Sequence, residues 1–226
     1  MRYTGSLIWV EGIIGSGKTT FAQEVSSRLN LHYLGEPVGD GHTGNPYLAK
    51  FYQDPKTHAF AMQIFLLHRR YMMQQLAANE ATGLFGYAGA ILDRSLCGDL
   101  VFAKMLMRDG HISELDYQTY LLCYNTMCHT LHPPTLMVFL DATAQTAHDR
   151  MRKRNRAAES SVSLEYLTDL HTGYQEFLLE AGRSLPPWSH AVDILKLPWD
   201  DGTHTKEEWD AVAAKVKDAC QTSAQS

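Results

Sequence analysis

The stretch Trp9–Phe21, WVEGIIGSGKTTF, decides the fold, because it runs from an apolar segment straight into three glycines, a lysine and two threonines. Upstream, SLIWV (Ser6–Val10) is short, apolar and rich in β-formers, the pattern of a buried strand. Downstream, Phe21, Val25 and Leu29 recur at helical spacing from Lys18 onward. Gly12, Gly17, Lys18 and Thr19 therefore fit the phosphate-loop spacing in the context that spacing requires, strand before and helix after. In such a loop the backbone N–H groups of Gly12, Ile13, Ile14, Gly15, Ser16 and Gly17, with the helix N-terminus, cradle an anion. Lys18 is expected on the β- and γ-phosphates, the Thr19 hydroxyl on Mg²⁺, and Thr20 beside it. ATP, or another nucleoside triphosphate, with magnesium is the expected ligand.

The rest of the chain alternates strands and helices. HYL (His32–Leu34) is a second short strand, ending near Glu36-Pro37, where the proline disfavours helix for the residue before it. Residues 45 to about 79 read as helix broken near Pro55. GAILD (Gly89–Asp93) is nearly continuous in apolar residues, as a central parallel strand should be. Helices are predicted at Leu96–Arg108 and Ser113–Thr130, a strand in TLMVFLDA, and a helix from about Thr143. A further helix is expected at Leu164–Ala181, a last strand at Ala191–Leu197, and a terminal helix at Lys206–Cys220. This order predicts an α/β fold with a parallel five-stranded sheet flanked by helices. At 226 residues it is read as a single domain spanning 1–226, with a frayed tail at about 221–226.

Composition excludes several classes. A formal net charge of -5 offers no electrostatic footprint for sequence-independent nucleic-acid binding. The four cysteines lack CxxC spacing and the histidines lack an HExxH pattern, so reduced thiols and no structural zinc are expected. No apolar run approaches a membrane span, and the N-terminus does not resemble a secretory signal. The default compartment is the cytoplasm, with the nucleus also open.

A triphosphate site does not name its acceptor. Ligands of open α/β sheets bind beyond the carboxyl ends of the strands, where Glu36, Asp93 and Asp141 are expected. Asp93-Arg94 would put a metal-holding acid and a cation beside the phosphates. Glu36 would face the same crevice, where a carboxylate can take the proton from an attacking hydroxyl. Asp141 reads as an ordinary strand-end residue. The basic run RMRKRNR places Arg150, Arg154 and Arg156 on a helix and the loop after it, a mobile lid over about 150–160 that brings guanidinium groups to the transferring phosphoryl group.

Taken in order, EGIIGSGKTT, EPV, LAKFYQDP, MQIFLLHRR, DRSLCGDLVFA and RMRKRNRAAESSVSLEYLTDLH resemble the signatures of the deoxyribonucleoside kinases grouped with deoxycytidine and deoxyguanosine kinase. The resemblance implies a P-loop kinase fold with an arginine-rich helical lid, and transfer of the ATP γ-phosphoryl group to a deoxyribonucleoside 5'-hydroxyl, a salvage step. It makes Glu36 the general base, Arg94 the arginine beside the 5'-oxygen, and Asp93 the acid near Mg²⁺. Tyr52 and Glu159 would bind the sugar 3'-hydroxyl, Gln63 the base edge, and Phe102 would stack on the base. Met62 stands where relatives often carry a second stacking aromatic, and Gly41 where some carry tryptophan. Arg70 and Asp99 resemble the pair found in members accepting deoxycytidine or purine deoxynucleosides, so dC, dA or dG is expected over thymidine. Arg150 would lie near the adenine, Arg154 and Arg156 on the phosphates, and Ile14 both braces the loop and lines the acceptor side. A homodimer through the long helices at 45–79 and 113–130 is also implied.

Two rival readings remain. A nucleoside monophosphate kinase such as thymidylate kinase shares the phosphate loop, but that family looks for Arg before Glu-Pro and Tyr or His after Asp-Arg, where Gly35 and Ser95 stand here. A non-catalytic nucleotide-binding switch would need no Glu36, Tyr52 and Glu159 together.

Overall fold

The computed structural model describes residues 5–36, 44–83, 86–156, 159, 162–184, 192–201 and 204–223, with only the backbone described at 180–184. Among these, the elements run β1 (Ser6–Glu11), α1 (Lys18–Leu29), β2 (His32–Leu34), α2 (Leu48–Gln53), α3 (Pro55–Glu80), β3 (Gly89–Asp93) and α4 (Leu96–Arg108). They continue with α5 (Glu114–His129), β4 (Leu136–Asp141), α6 (Ala144–Arg154), α7 (Leu164–Ser184), β5 (Ile194–Pro198) and α8 (Lys206–Ser223). The five strands form one sheet in the order β2-β3-β1-β4-β5, every neighbouring pair parallel.

The apolar runs are continuous because the sheet is covered on both faces. Successive strand side chains point to opposite sides. Leu7, Trp9, Leu92, Met137 and Phe139 enter a core with Val101 and Met105 of α4, Met151 of α6 and Leu167, Leu170 and Tyr174 of α7. Ile8, Val10, Ile91, Val138 and Leu140 enter a second core with Phe21 and Val25 of α1 and Trp209 and Val216 of α8. Each large apolar side chain taken fully out of water contributes about 1.5–3 kcal/mol, and strands with two buried faces collect that contribution at every position.

Helix starts follow local chemistry. The hydroxyls of Ser95, Ser113 and Thr143 accept the N–H of Cys97, Asp116 and Thr146 at 3.1, 3.1 and 3.2 Å, opening α4, α5 and α6. Asp54 caps α3 with Pro55 in the first turn, which explains the break between α2 and α3. Several boundaries differ from expectation: α7 runs to Ser184 rather than Ala181, and the helical stretch expected from residue 45 starts at Leu48. The last strand lies later than predicted because its ladder to β4 runs from Met137–Ile194 to Asp141–Pro198, and a proline is tolerated there on an edge strand. The final helix reaches Ser223, past the predicted end at Cys220. Cys220 is buried, and the hydroxyls of Thr222 and Ser223 bond back to Asp218 and Ala219 carbonyls at 3.0 and 2.9 Å. Residues 224–226 of the expected tail lie outside the described residues.

Parallel strands end on one side. The register pairing Val10 with Asp93 and Leu34 with Leu92 sets the loops after β1, β2 and β3 next to each other. The phosphate loop, Glu36 and Asp93-Arg94 are thereby delivered to a single edge. Gly15 matters to that edge: its φ is +78°, and a Cβ there would collide with the Ala147 carbonyl and come within 2.8 Å of Met151 Cγ. Only glycine lets the loop lie against α6.

Candidate active site

The phosphate loop closes on Lys18. Its ammonium is 6% exposed and donates to the carbonyls of Gly12 and Ile13 at 3.0 and 2.8 Å. Burial, reinforced by the nearby Arg94 charge, brings its pKa down to about 7. Gly17, at φ 98°, caps α1, whose first turn carries no acidic residue to compete with a phosphate. The Thr19 hydroxyl donates to Asp93 Oδ2 at 2.5 Å, while the buried Asp93 Oδ1 has no hydrogen-bond partner among the described residues. Burial pushes the Asp93 carboxyl above its ordinary range even with Lys18 beside it. An unsatisfied hard oxygen next to a threonine hydroxyl suits Mg²⁺, which is held by few carboxylates together with phosphate oxygens rather than by a protein cage.

Arg150 sits on the other side of the loop. Its Nη1 donates to the Ser16 carbonyl at 3.0 Å and its Nη2 to the Asp201 carbonyl at 2.6 Å, tying α6 to the segment after β5. Trp199 packs against Gly17, 3.2 Å from the position of a Cβ, and the His204 ring lies 4.7 Å from the Trp199 ring. Trp199 and His204 escaped the sequence reading, because aromatic residues in a short loop carry no periodicity to mark them.

A cavity of about 670 Å³ opens from the loop toward α3. Ile14, Lys18, Thr19 and Thr20 form its phosphate end; Met62, Gln63 and Arg70, on one face of α3, form its floor; Tyr52, Arg154, Arg156 and Glu159 stand at the far wall. The structure thus brings together most of the residues singled out by sequence. Gly12, Ile13 and Ser16 contribute backbone to the loop rather than cavity wall. Asp99 does not line the cavity: it is fully buried behind Arg70, pairing with Arg70 Nη1 through Oδ1 and accepting the Tyr120 hydroxyl at 2.9 Å through Oδ2. Phe102 lies under the Arg94 guanidinium, 4.9 Å from ring centre to Cζ. Arg154 and Arg156 pair with Glu159 at 2.5 and 3.6 Å, so the lid cations are turned to the carboxylate expected near the sugar. Gly41 lies outside the described residues.

Glu36 is the junction of this site. Its Oε1 receives Arg70 Nη2 at 2.7 Å and stands 3.0 Å from Arg94 Nε. Burial favours the neutral acid, but Arg94, Arg70 and Lys18 outweigh it and hold the carboxyl down at about 2. Tyr52 is driven the opposite way, to about 12, by burial and then by the charges of Glu159 and Glu36, so it stays a neutral donor. Arg94 itself has a φ of 76°, a left-handed conformation uncommon for a residue with a side chain. At Gly35, one departure from the monophosphate-kinase pattern, a Cβ would stand 2.9 Å from the Tyr33 hydroxyl, the far end of a side chain that can shift. Tyr33, Leu48, Phe51 and Tyr166 also line the cavity. Tyr166 falls within the lid signature and Leu48 and Phe51 within LAKFYQDP, without having been singled out; Tyr33 lies in a strand legible only as packing.

A phosphate loop, a carboxylate at the adjoining strand end and a cavity beside them define a phosphotransferase of the P-loop class. A family model described as deoxynucleoside kinase matches residues 8–221. Among curated proteins the chain is 38% identical over 193 residues to deoxyadenosine kinase of Dictyostelium discoideum, covering 84% of this chain and 75% of that one. It is 32% identical to deoxyadenosine/deoxycytidine kinase of Bacillus subtilis (strain 168), covering 76% of each. Among solved structures, deoxyadenosine kinase from M. mycoides with bound dCTP superposes with a TM-score of 0.74 at 26% identity, over 93% of this chain and 98% of that one. The chain belongs to the deoxynucleoside kinase family.

Proposed function

We propose that the protein transfers the γ-phosphoryl group of ATP to the 5'-hydroxyl of a deoxyribonucleoside, favouring dA, dG or dC over thymidine, as a step of nucleotide salvage. The observation that carries this reading is the shared Glu36. An acceptor phosphate would require spare cations, whereas Arg70 is engaged with Glu36 and Asp99 and Arg94 with Glu36. A neutral alcohol instead requires an ionised carboxylate, and Glu36 is one throughout the working pH range.

Phosphoryl transfer has a loose transition state, so the protein's work is positioning and charge stabilisation. Glu36 accepts the 5'-hydroxyl hydrogen bond and fixes the oxygen in line with the γ-phosphorus. As the new O–P bond forms and the bond to the ADP oxygen breaks, the hydroxyl proton passes to Glu36. A carboxylate this acidic is a weak base for a free alcohol, but the oxygen becomes far more acidic as it bonds to phosphorus. Arg94 stands where it can stabilise the oxygens of the moving group, and Lys18 would exchange the Gly12 and Ile13 carbonyls for phosphate oxygens. Thr19 and Asp93 would hold Mg²⁺, which supplies charge neutralisation at the β- and γ-phosphates. Tyr52 and Glu159 suit the sugar 3'-hydroxyl, and Gln63 and Arg70 suit the base edge. Arg70, fixed by Asp99, fills the space that a thymine 5-methyl group would need.

The cytoplasm is the proposed compartment, supported by the absence of a disulfide among Cys97, Cys123, Cys128 and Cys220; among the described residues no helix is long and apolar enough to cross a membrane. A homodimer is proposed through α3 and α5, which pack together and expose Met72, Leu76, Leu115 and Leu122. Sedimentation at micromolar concentration should read a dimer, and a monomer there would contradict this assembly.

Glu36→Gln should lower kcat by about 10²-fold or more while leaving nucleoside binding largely intact. Because Glu36 is depressed to about 2 and stays ionised above that, the ratio of wild-type to Glu36→Gln kcat/KM should be flat between pH 5.5 and 8.5. An unchanged kcat removes Glu36 from its role, and a ratio climbing tenfold per pH unit would mean that it titrates near neutrality. Replacing Arg70 with Met and Asp99 with Ala together should shift preference toward thymidine, read as kcat/KM for each nucleoside. A dC or purine preference surviving that exchange would show the base-edge assignment to be wrong.

A further inference from the structure

Behind the catalytic edge lies a buried carboxylate that the reaction does not use. Glu11, the last residue of β1, is fully buried. Its Oε1 accepts both the N–H and the hydroxyl of Ser95, at 2.7 and 2.6 Å. Its Oε2 accepts the hydroxyl of Tyr174, at 2.9 Å. That hydroxyl in turn accepts Arg94 Nη1, at 2.8 Å. A charge-assisted chain therefore runs from the Arg94 guanidinium through the Tyr174 hydroxyl to the Glu11 carboxylate, and the carboxylate is anchored on the residue next to Arg94.

The surroundings are built to keep this chain in place. Tyr174 is fully buried in α7, with Phe102, Phe139 and Phe177 around its ring at 6.5, 5.6 and 6.4 Å. Gly98 leaves the space the chain occupies: a Cβ there would collide with Glu11 Oε2 and stand 2.7 Å from the Tyr174 hydroxyl. The left-handed backbone at Arg94 turns its side chain inward, toward Tyr174 and Glu36 together.

We infer that Tyr174, backed by Glu11, is a positioning residue: it fixes the Arg94 guanidinium so that Nε meets Glu36 and Nη2 is left for the acceptor oxygen and the transferring phosphoryl group. This rests on the role proposed above for Arg94. A guanidinium on a flexible stem has many rotamers, and holding one nitrogen with a neutral hydroxyl spends none of the group's charge. The second carboxylate stays one hydrogen bond removed, so Arg94 is oriented without being neutralised at the atom that faces substrate. A direct Arg94–Glu11 pair would have satisfied the same buried charges but turned the guanidinium away from the reaction.

The test is a double-mutant cycle on the full chain, assayed with deoxyadenosine and ATP. Tyr174→Phe should lower kcat by about tenfold or more, the scale of a lost hydrogen bond to a charged group, with the Kd for deoxyadenosine within twofold of wild type. Arg94→Lys should also lower kcat, and adding Tyr174→Phe to it should cost less than twofold more, since a lysine cannot use the tyrosine in the same way. Glu11→Gln, which keeps the volume and removes the charge, reads the same relay where Tyr174→Phe is too unstable to assay. If Arg94→Lys lowers kcat but Tyr174→Phe and Glu11→Gln do not, or if their losses are the same in both backgrounds, the positioning role is overturned while the proposed function stands. If Arg94→Lys leaves kcat unchanged, the role of Arg94 falls and the positioning role with it.

Discussion

One carboxylate shared by two guanidinium groups organises this protein. Glu36 sits between Arg70 and Arg94, and each arginine has a second carboxylate in reach: Asp99 directly for Arg70, and Glu11 through Tyr174 for Arg94. Such a cluster is a poor way to gain stability, because stripping water from several charges costs about as much as their pairing returns. Removing one partner of a buried pair, by contrast, costs about 3–5 kcal/mol, since a lone charge is left behind. The cluster is therefore locked against partial loss without adding much to stability. Its return is chemical: an ionised carboxylate held in place by two guanidinium groups at the wall of the cavity.

The fold exists to bring these charges to one place. Side chains on β2, β3 and β1 end level with each other because adjacent strands are parallel and in register. α3 then presents Gln63 and Arg70 to the cavity, two helical turns apart on the same face. α4 starts at Ser95, whose backbone and hydroxyl reach back to Glu11, so the helix start and the site share one carboxylate. α6 packs its Arg150 on the loop through the Ser16 carbonyl, and at its end Arg154, with Arg156 beyond it, pairs with Glu159.

Much of this was legible in the sequence, for reasons that can be named. WVEGIIGSGKTTF has a spacing that serves one geometry, and the runs GAILD and TLMVFLDA are apolar on both faces because their strands are covered on both sides. Glu36, Asp93 and Arg94 follow from being at strand ends. What escaped was whatever depends on two elements meeting. Glu11 reads as a strand terminus before a glycine, and Tyr174 as one more ring on a helix; nothing in their spacing says that they touch across 163 residues. Asp99 was assigned to the ligand but stands behind Arg70, because the sequence places it in the first turn of α4 without fixing which way its carboxylate turns. Asp141, read as a plain strand end, shares a hydrogen bond with His171 Nε2 and an ion pair with Lys196, both at 3.0 Å, contacts made by α7 and β5.

On this reading the acceptor is a sugar hydroxyl and not a phosphate. ATP consumption measured with the four deoxynucleosides and, separately, the four deoxynucleoside monophosphates tests it most directly. Turnover with dA, dG or dC, weaker turnover with thymidine and none with the monophosphates is the predicted result. Turnover confined to monophosphates would contradict it.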